Sequence, residues 1–343
     1  MANGIESART KAAELSVHIK MIQSKVIIVG GGPAGSTCAW KLKQQGVECL
    51  ILDKAKFPRI KLCAGWITPQ VFQDLEITPN DYPHSLVVFD KLDISLFGLR
   101  LKSPGPQYSI RRFEFDQWLL NRAGVPVHHY GVKKITREGN YYIIDNAFRC
   151  QYLVGAGGTN CPVYHTFFKR LNPRQKELRI DTLEQEIQYQ YNDSRCHLWF
   201  MEHHLDGYSW YVPKGNGWLN VGVGGFAASL KKRGDNILSH WYFLVEKLNR
   251  LSLFRDYDFK PKGYIYYLRS SAAIVRSDNA FIIGDAVGLA TKDMGEGIGP
   301  AVQSGIKAAM AIADNREYTL SVVREYSDIM PSYINKIKKL LRR

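Results

Sequence analysis

A chain of 343 residues, 45% hydrophobic and 12% aromatic, has ample material for one large domain or two interleaved ones. Its net charge of +14 favours anionic partners, phosphates and membrane surfaces among them, but the basic residues form no stripe interleaved with aromatics, so nucleic acid is not an expected partner. No run of about 18 apolar residues is present to span a membrane, and six cysteines without CxxC or metal-ligand spacing exclude a zinc module and point to a reducing, cytoplasmic setting.

Residues 1–20 lack the apolar core of a signal peptide and read as a leader or a cloning remnant, with Met21 the expected natural start. Lys25–Lys54 is the most informative stretch. An apolar strand, Val26–Val29, runs into Gly30-Gly31-Gly32-Pro33-Ala34-Gly35; a helix follows, then a second apolar strand, Cys49–Leu52, ending on Asp53. That context converts a bare GxGxxG into a dinucleotide-binding fingerprint. Gly30 allows the tight turn, Gly32 lets the backbone approach a pyrophosphate, and Gly35 lets helix and strand lie close. The helix N-terminus offers free N–H groups to phosphate, and Asp53 is placed to accept hydrogen bonds from a ribose diol. Cys38 and Cys49 fall inside this unit and are expected to be buried.

The next segment carries Lys54, Lys56, Arg59 and Lys61, which either steer a phosphate-bearing substrate or form a solvated basic loop. Cys63 follows them. It is either a thiol activated by those cations or a loop residue with no chemical role. Ile110–Ala123 reads as an amphipathic helix after paired arginines, and Tyr152–Gly158 as a strand ending in small residues. Four alternating strands are expected at Glu186–Tyr191, Cys196–Met201, Tyr208–Pro213 and Trp218–Gly224, forming an antiparallel sheet with one face on a cavity. Trp199, Tyr208, Trp210, Trp218 and Phe226 are candidates to line that cavity or to fill the core. His128-His129 and His203-His204 are adjacent pairs, which in a strand point apart, so no metal site is expected.

A second nucleotide signal comes late. Phe281–Ile283 reads as a strand, followed by Gly284-Asp285, then a turn with Gly295, Gly297 and Gly299, then a helix over Pro300–Ala309. A strand ending on an acid beside a glycine-lined helix start suits a polyol and a phosphate. Tyr333–Arg343 combines five basic residues with apolar positions at helical spacing, giving a helix that either lies on an anionic membrane or packs on the body.

These motifs together resemble the geranylgeranyl reductase family, within the flavoproteins that share the p-hydroxybenzoate hydroxylase fold. The likeness covers about residues 25–310. Gly30–Gly35 with Asp53 resembles the family's FAD-adenosine site. Phe57–Gly65 resembles its FPRxKxCGG loop beside the isoalloxazine. Arg112–Asp116 resembles RxxFD, whose arginine contacts FAD. Tyr208–Lys214 resembles the YxWxFP substrate-cavity motif, and Asn220–Gly224 the NVGxG after it. Gly284-Asp285 and Gly295-Glu296-Gly297 resemble the GD and GEG elements at the ribityl and pyrophosphate. Related halogenases carry WxWxIP where this chain has Tyr208. The chain departs from the pattern at Ala64, at Gly157-Gly158, at Cys161-Pro162 and at Val212, and it ends soon after the GEG helix.

The resemblance implies an α/β fold: a discontinuous Rossmann-like FAD-binding domain (21–75, 106–160 and 270–325), an antiparallel-sheet substrate domain (76–105 and 161–269) and a basic amphipathic C-terminal helix (326–343). It implies FAD held by Gly30, Gly32, Ala34, Gly35, Asp53, Lys54, Arg59, Cys63, Ala64, Arg112, Gly157, Gly284, Asp285, Gly295, Gly297 and Ile298. Cys63, Tyr208 and Trp210 are the candidate catalytic residues. The implied reaction is hydride transfer from reduced flavin N5 to a carbon–carbon double bond of an isoprenoid or lipid-like substrate. With one GxGxxG only, NAD(P)H would visit transiently, or an electron-carrier protein such as ferredoxin would supply electrons. The alternatives are an FAD-dependent monooxygenase or halogenase acting on an aromatic substrate, and a non-catalytic flavin- or prenyl-binding protein. The expected location is cytoplasmic, peripheral at the inner membrane surface through the C-terminal helix.

Overall fold

The structure is a computed structural model, and it describes residues 21–327 except 104, 256, 271–273 and 322. The expected leader (1–20) and the basic helix at Tyr333–Arg343 lie outside the described residues. The elements that position the cleft are, in chain order, β1 (Ile22–Val29), α1 (Pro33–Gln44), β2 (Cys49–Asp53), α2 (Arg112–Ala123), β3 (Phe148–Gly155), β4 (Arg179–Gln188), β5 (Gly207–Lys214), β6 (Trp218–Phe226), α3 (Ile237–Arg250), β7 (Lys262–Tyr267), β8 (Ala280–Ile282) and α4 (Ile298–Ala313).

The first sheet is mostly parallel. Its core runs β8-β3-β1-β2 and then Val127–His129, all parallel. Val29 stands opposite both Leu52 and Gly155, so the C-terminal ends of the three central strands align at one edge. Val26, Ile27, Ile28, Ile51 and Leu52 are fully buried, as expected of a parallel sheet covered on both faces. α1 is almost entirely buried, lying between this sheet and α4. The helices approach so closely that a Cβ on Gly305 would fall 2.4 Å from the carbonyl oxygen of Ala34.

The second sheet is seven-stranded, in the order β7-β4-β6-β5, then His197–Phe200, Asp93–Leu96 and Leu99–Lys102. The pairs β4–β6, β5–β6 and β4–β7 are antiparallel. α3 buries His240, Trp241, Leu244 and Leu248 against its outer face. A small third sheet joins Trp66–Ile67, Gln107–Ser109 and Val87–Phe89 beneath α2.

Several expected boundaries move, three of them at the cleft. The strand expected over Tyr152–Gly158 stops at Gly155, because the chain turns at Ala156, whose N–H bonds to Val29 O, and winds through a short 3-10 turn at Gly158–Asn160. The strand expected at Glu186–Tyr191 runs instead from Arg179 to Gln188. Its first six residues carry Arg179, Asp181 and Glu184 and do not read as apolar alternation. The late helix begins at Ile298, two residues before its expected start. Among the described residues no helix is long and apolar enough to cross a membrane.

Candidate functional site

The C-terminal edge of the parallel sheet faces the inner side of the antiparallel sheet across a cleft of about 530 Å³. One end is built from the βαβ unit. Gly30 has φ +115°, and a Cβ there would meet Ala156 O at 2.4 Å. A Cβ on Gly35 would lie 1.9 Å from Gly30 O. Both glycines are therefore required by the fold. Gly32 is different: a Cβ there would meet only the Arg59 guanidinium, at 3.4 Å. Its bare face opens into the cleft, so the space is kept for something other than protein. Gly32 is also the N-cap of α1, with no side chain bonded to the helix's first N–H groups. Asp53, at the end of β2, accepts hydrogen bonds from Gly31 N (2.6 Å) and Ala55 N (2.8 Å) and still lines the cleft. A carboxylate has capacity for more than two such bonds.

The middle of the cleft uses the late motif. Gly284 adopts φ +59° and its N–H bonds to Ser304 Oγ at 3.0 Å. Asp285 accepts from the Tyr264 hydroxyl at 3.4 Å. Gly297 caps α4, again without a side-chain cap, so a second helix N-terminus opens at the cleft beside the first. Two uncapped helix starts, an acid at each of two strand ends and an unfilled glycine face suit an adenylate, a pyrophosphate and a sugar-alcohol linker. Gly30, Gly32, Asp53, Asp285 and Gly297 are the residues that would hold them.

The loop after β2 forms the rim. Arg112 makes a bidentate pair with Asp116, Nε at 2.6 Å and Nη2 at 2.7 Å, and Arg59 joins the same carboxylate at 3.3 Å. Lys61 does not belong to a solvated basic loop: its ammonium lies 3.0 Å from the centroid of the Tyr264 ring. Burial pushes the Lys61 amine down to about 8, against the opposing pull of Asp285. Lys54 and Lys56 remain exposed. Cys63 is half-buried and accepts from Gly65 N at 3.3 Å; the other five thiols are buried. Lys214 is fully buried and donates to the carbonyl of Ile110 (2.7 Å) and to that of Ala64, tying the Cys63 loop to β5.

The far end is aromatic. Tyr208 donates its hydroxyl to Met294 O (2.6 Å), and Trp210 donates Nε1–H to Asn220 Oδ1 (2.6 Å). Burial pushes the Tyr208 phenol well above its ordinary range. Both donors are thus committed internally, and the two expected catalytic residues line the cleft with their rings. Of the five aromatics expected at the cavity only they line it. Trp199 pairs with Ser209, one residue out of phase with Trp210, so it points to the opposite face and packs in the core under α3. Trp218 stacks on Arg111, and Phe226 packs beside Ile180 and Leu268.

Every expected cofactor residue lines the cleft except Gly35 and Gly284, which pack behind its wall. Lys61, expected either to steer substrate or to be solvated, lines the cleft, whereas sequence reading missed Glu184, Tyr264, Tyr266 and Met294. The tyrosines had a signal, the alternating Tyr264-Ile265-Tyr266 of β7.

A family model for the NAD(P)-binding Rossmann-like domain matches residues 28–62. A digeranylgeranylglycerophospholipid reductase of Methanosphaera stadtmanae is 25% identical, covering 91% of this chain and 83% of that protein. A menaquinone reductase of Mycobacterium tuberculosis is also 25% identical, over 85% of this chain and 77% of its own. The solved structure of a geranylgeranyl bacteriochlorophyll reductase-like protein from Thermoplasma acidophilum superposes with a TM-score of 0.72 at 20% identity, covering 93% of this chain and 84% of that one. The fold is α/β with a Rossmann-like dinucleotide domain, and the relatives, named as reductases, support an FAD-dependent oxidoreductase. Within that class, the chain's resemblance is to the geranylgeranyl reductase family.

Proposed function

We propose that this chain is an FAD-dependent reductase that saturates carbon–carbon double bonds in the isoprenoid part of a lipid or quinone. The observation that carries the reading is the continuity of one cleft. The dinucleotide cradle at Gly30–Asp53 opens without a partition onto an aromatic chamber of Trp66, Tyr208, Trp210 and Tyr266. An apolar chamber of this kind excludes water and holds a chain in one pose. Relatives named as reductases of a geranylgeranyl lipid and of menaquinone support the same substrate class.

When bound, the flavin supplies the hydride. The protein's own residues do the rest. Asp53, Asp285 and the two helix N-termini orient the dinucleotide. The Arg112–Asp116 pair with Arg59 fixes the rim loop, and Lys214 fixes its far side. Tyr208 and Trp210 wall the chamber. NAD(P)H or a small electron-carrier protein is the proposed electron source.

The test is anaerobic. The purified protein, with its flavin reduced by dithionite, is mixed with geranylgeranyl diphosphate or with menaquinone, and flavin absorbance and product mass are followed. Reoxidation with a product heavier by two hydrogens per saturated bond is the expected result. Reoxidation only on admitting oxygen, with a hydroxylated or halogenated product from an aromatic substrate, would select oxygenase or halogenase chemistry instead. No reoxidation by any acceptor would leave a binding protein.

A further inference from the structure

Glu184 lies in the middle of β4 with its side chain in the wall of the cleft. It is 2% exposed, and its Oε2 has no hydrogen-bond partner. A buried carboxyl oxygen without a donor is costly as an anion and far less so as an acid, so the protonated form is favoured. Its surroundings place it at the aromatic end. Gly222 pairs in register with Glu184 on one side and Trp210 on the other. A Cβ on Gly222 would lie 2.2 Å from the indole and 2.8 Å from Glu184 Cβ. The missing side chain lets the indole lie across the strand toward the carboxyl. The indole N–H is spent on Asn220 and is not available to the acid, whose Oε2 has no donor.

Other acids in the cleft are placed differently. Asp53 is bonded to two backbone N–H groups at the cradle end, and Asp285 sits beside Tyr264 and Lys61. The Tyr208 hydroxyl is committed to Met294 O. We propose that Glu184 is the acid that protonates the substrate, a role that rests on the reductase reading above. The π pair of the alkene takes the proton from Oε2: a C–H bond forms, the O–H bond breaks and a carboxylate remains. With a reduced flavin held in the cleft, the neighbouring carbon would take a hydride from it, so that the alkene would gain two electrons and the flavin would lose two. The carboxylate is reprotonated by water.

The groups around the acid fit the task. Burial pushes its pKa up to about 7, near the working range of a general acid. Lys214 and Tyr208 face it from β5, Lys61 from the rim loop, Tyr266 from β7, and Glu186 from its own strand. Lys214, Lys61 and the Asn220 amide pull in the opposite direction to burial and would stabilise the carboxylate once formed.

The test compares wild type, Glu184→Gln and Glu184→Asp in the anaerobic assay with geranylgeranyl diphosphate and menaquinone as probes. Glu184→Gln is expected to reoxidise flavin roughly 10²-fold more slowly or worse, with Glu184→Asp recovering part of the rate. The wild-type rate is expected to fall as the acid ionises above about pH 7. A second readout needs no turnover. The folded state keeps this proton where the unfolded chain has released it, so wild-type stability falls as pH rises from about 4.5 to about 7. Glu184→Gln should flatten the thermal midpoint over that window. An active wild type matched by Glu184→Gln in rate and pH profile overturns the assignment alone. A wild type inert toward both probes overturns the reductase reading, and the acid's role with it.

Discussion

Lys214, on β5, donates a 2.7 Å hydrogen bond to the carbonyl of Ile110, just before α2, and a second to the carbonyl of Ala64. The ammonium is fully buried, 3.9 Å from Glu186, and burial pushes its pKa down. One cation thereby fastens the rim loop, the approach to α2 and the substrate sheet to each other. Removing it would orphan two carbonyls and release the loop that carries Cys63.

Lys214→Met is accordingly expected to destabilise the protein by roughly 2–4 kcal/mol, since each buried polar group left unpaired costs about 1–3 kcal/mol. It should also lower flavin occupancy. Chemical denaturation and the ratio of flavin to protein absorbance check both. A variant as stable and as yellow as wild type would show that the loop is held by something else.

The fingerprint glycines should separate into two kinds. Gly32→Val should fold, because a Cβ there meets nothing closer than 3.4 Å, yet bind no flavin. Gly35→Ala should fail to fold normally, because its Cβ would lie 1.9 Å from Gly30 O. Circular dichroism melts alongside flavin content distinguish the two. A yellow Gly32→Val protein would place the pyrophosphate elsewhere.

Asp285→Ala is expected to yield a folded, colourless protein, because the side chain faces the cleft and its hydrogen bond to the protein is a long one, 3.4 Å from the Tyr264 hydroxyl. Retention of stoichiometric flavin after gel filtration would contradict this.

Lys61 gives a pH signature of opposite sign to that of a buried acid. Its amine titrates near 8 when folded and near 10.5 when unfolded, so between those values the unfolded state binds more protons. Stability should therefore rise with pH across that window, and Lys61→Met should remove the rise. Thermal midpoints at about pH 8 and about pH 10 measure it.

Tyr208→Phe loses a hydroxyl whose proton is already donated to Met294 O. Turnover should fall less than about tenfold, with stability reduced by about 1 kcal/mol for the lost bond. A loss of several orders of magnitude would restore Tyr208 as the proton donor.

The cradle was legible because its constraints are local. A tight turn, an uncapped helix start and an acid ending the next strand leave fixed spacings, and Gly30, Gly32, Gly35 and Asp53 stand at them. Gly284, Asp285 and Gly297 could be read the same way. The chamber was less legible because its walls are set by register between strands far apart in sequence. Trp199 and Trp210 look alike in the sequence, yet a one-residue phase difference sends the first into the core and the second into the cleft. Glu184 was invisible for a related reason. Polar residues interrupt the first half of β4, and only its pairing with Gly222 shows why an acid sits there. Lys61 read as one charge among four until the structure laid it on Tyr264.

Asp53 is already anchored to the amides of Gly31 and Ala55. The carboxylate at the end of β2 is thus aimed by the chain's own amides, so its direction does not depend on anything that later occupies the cleft.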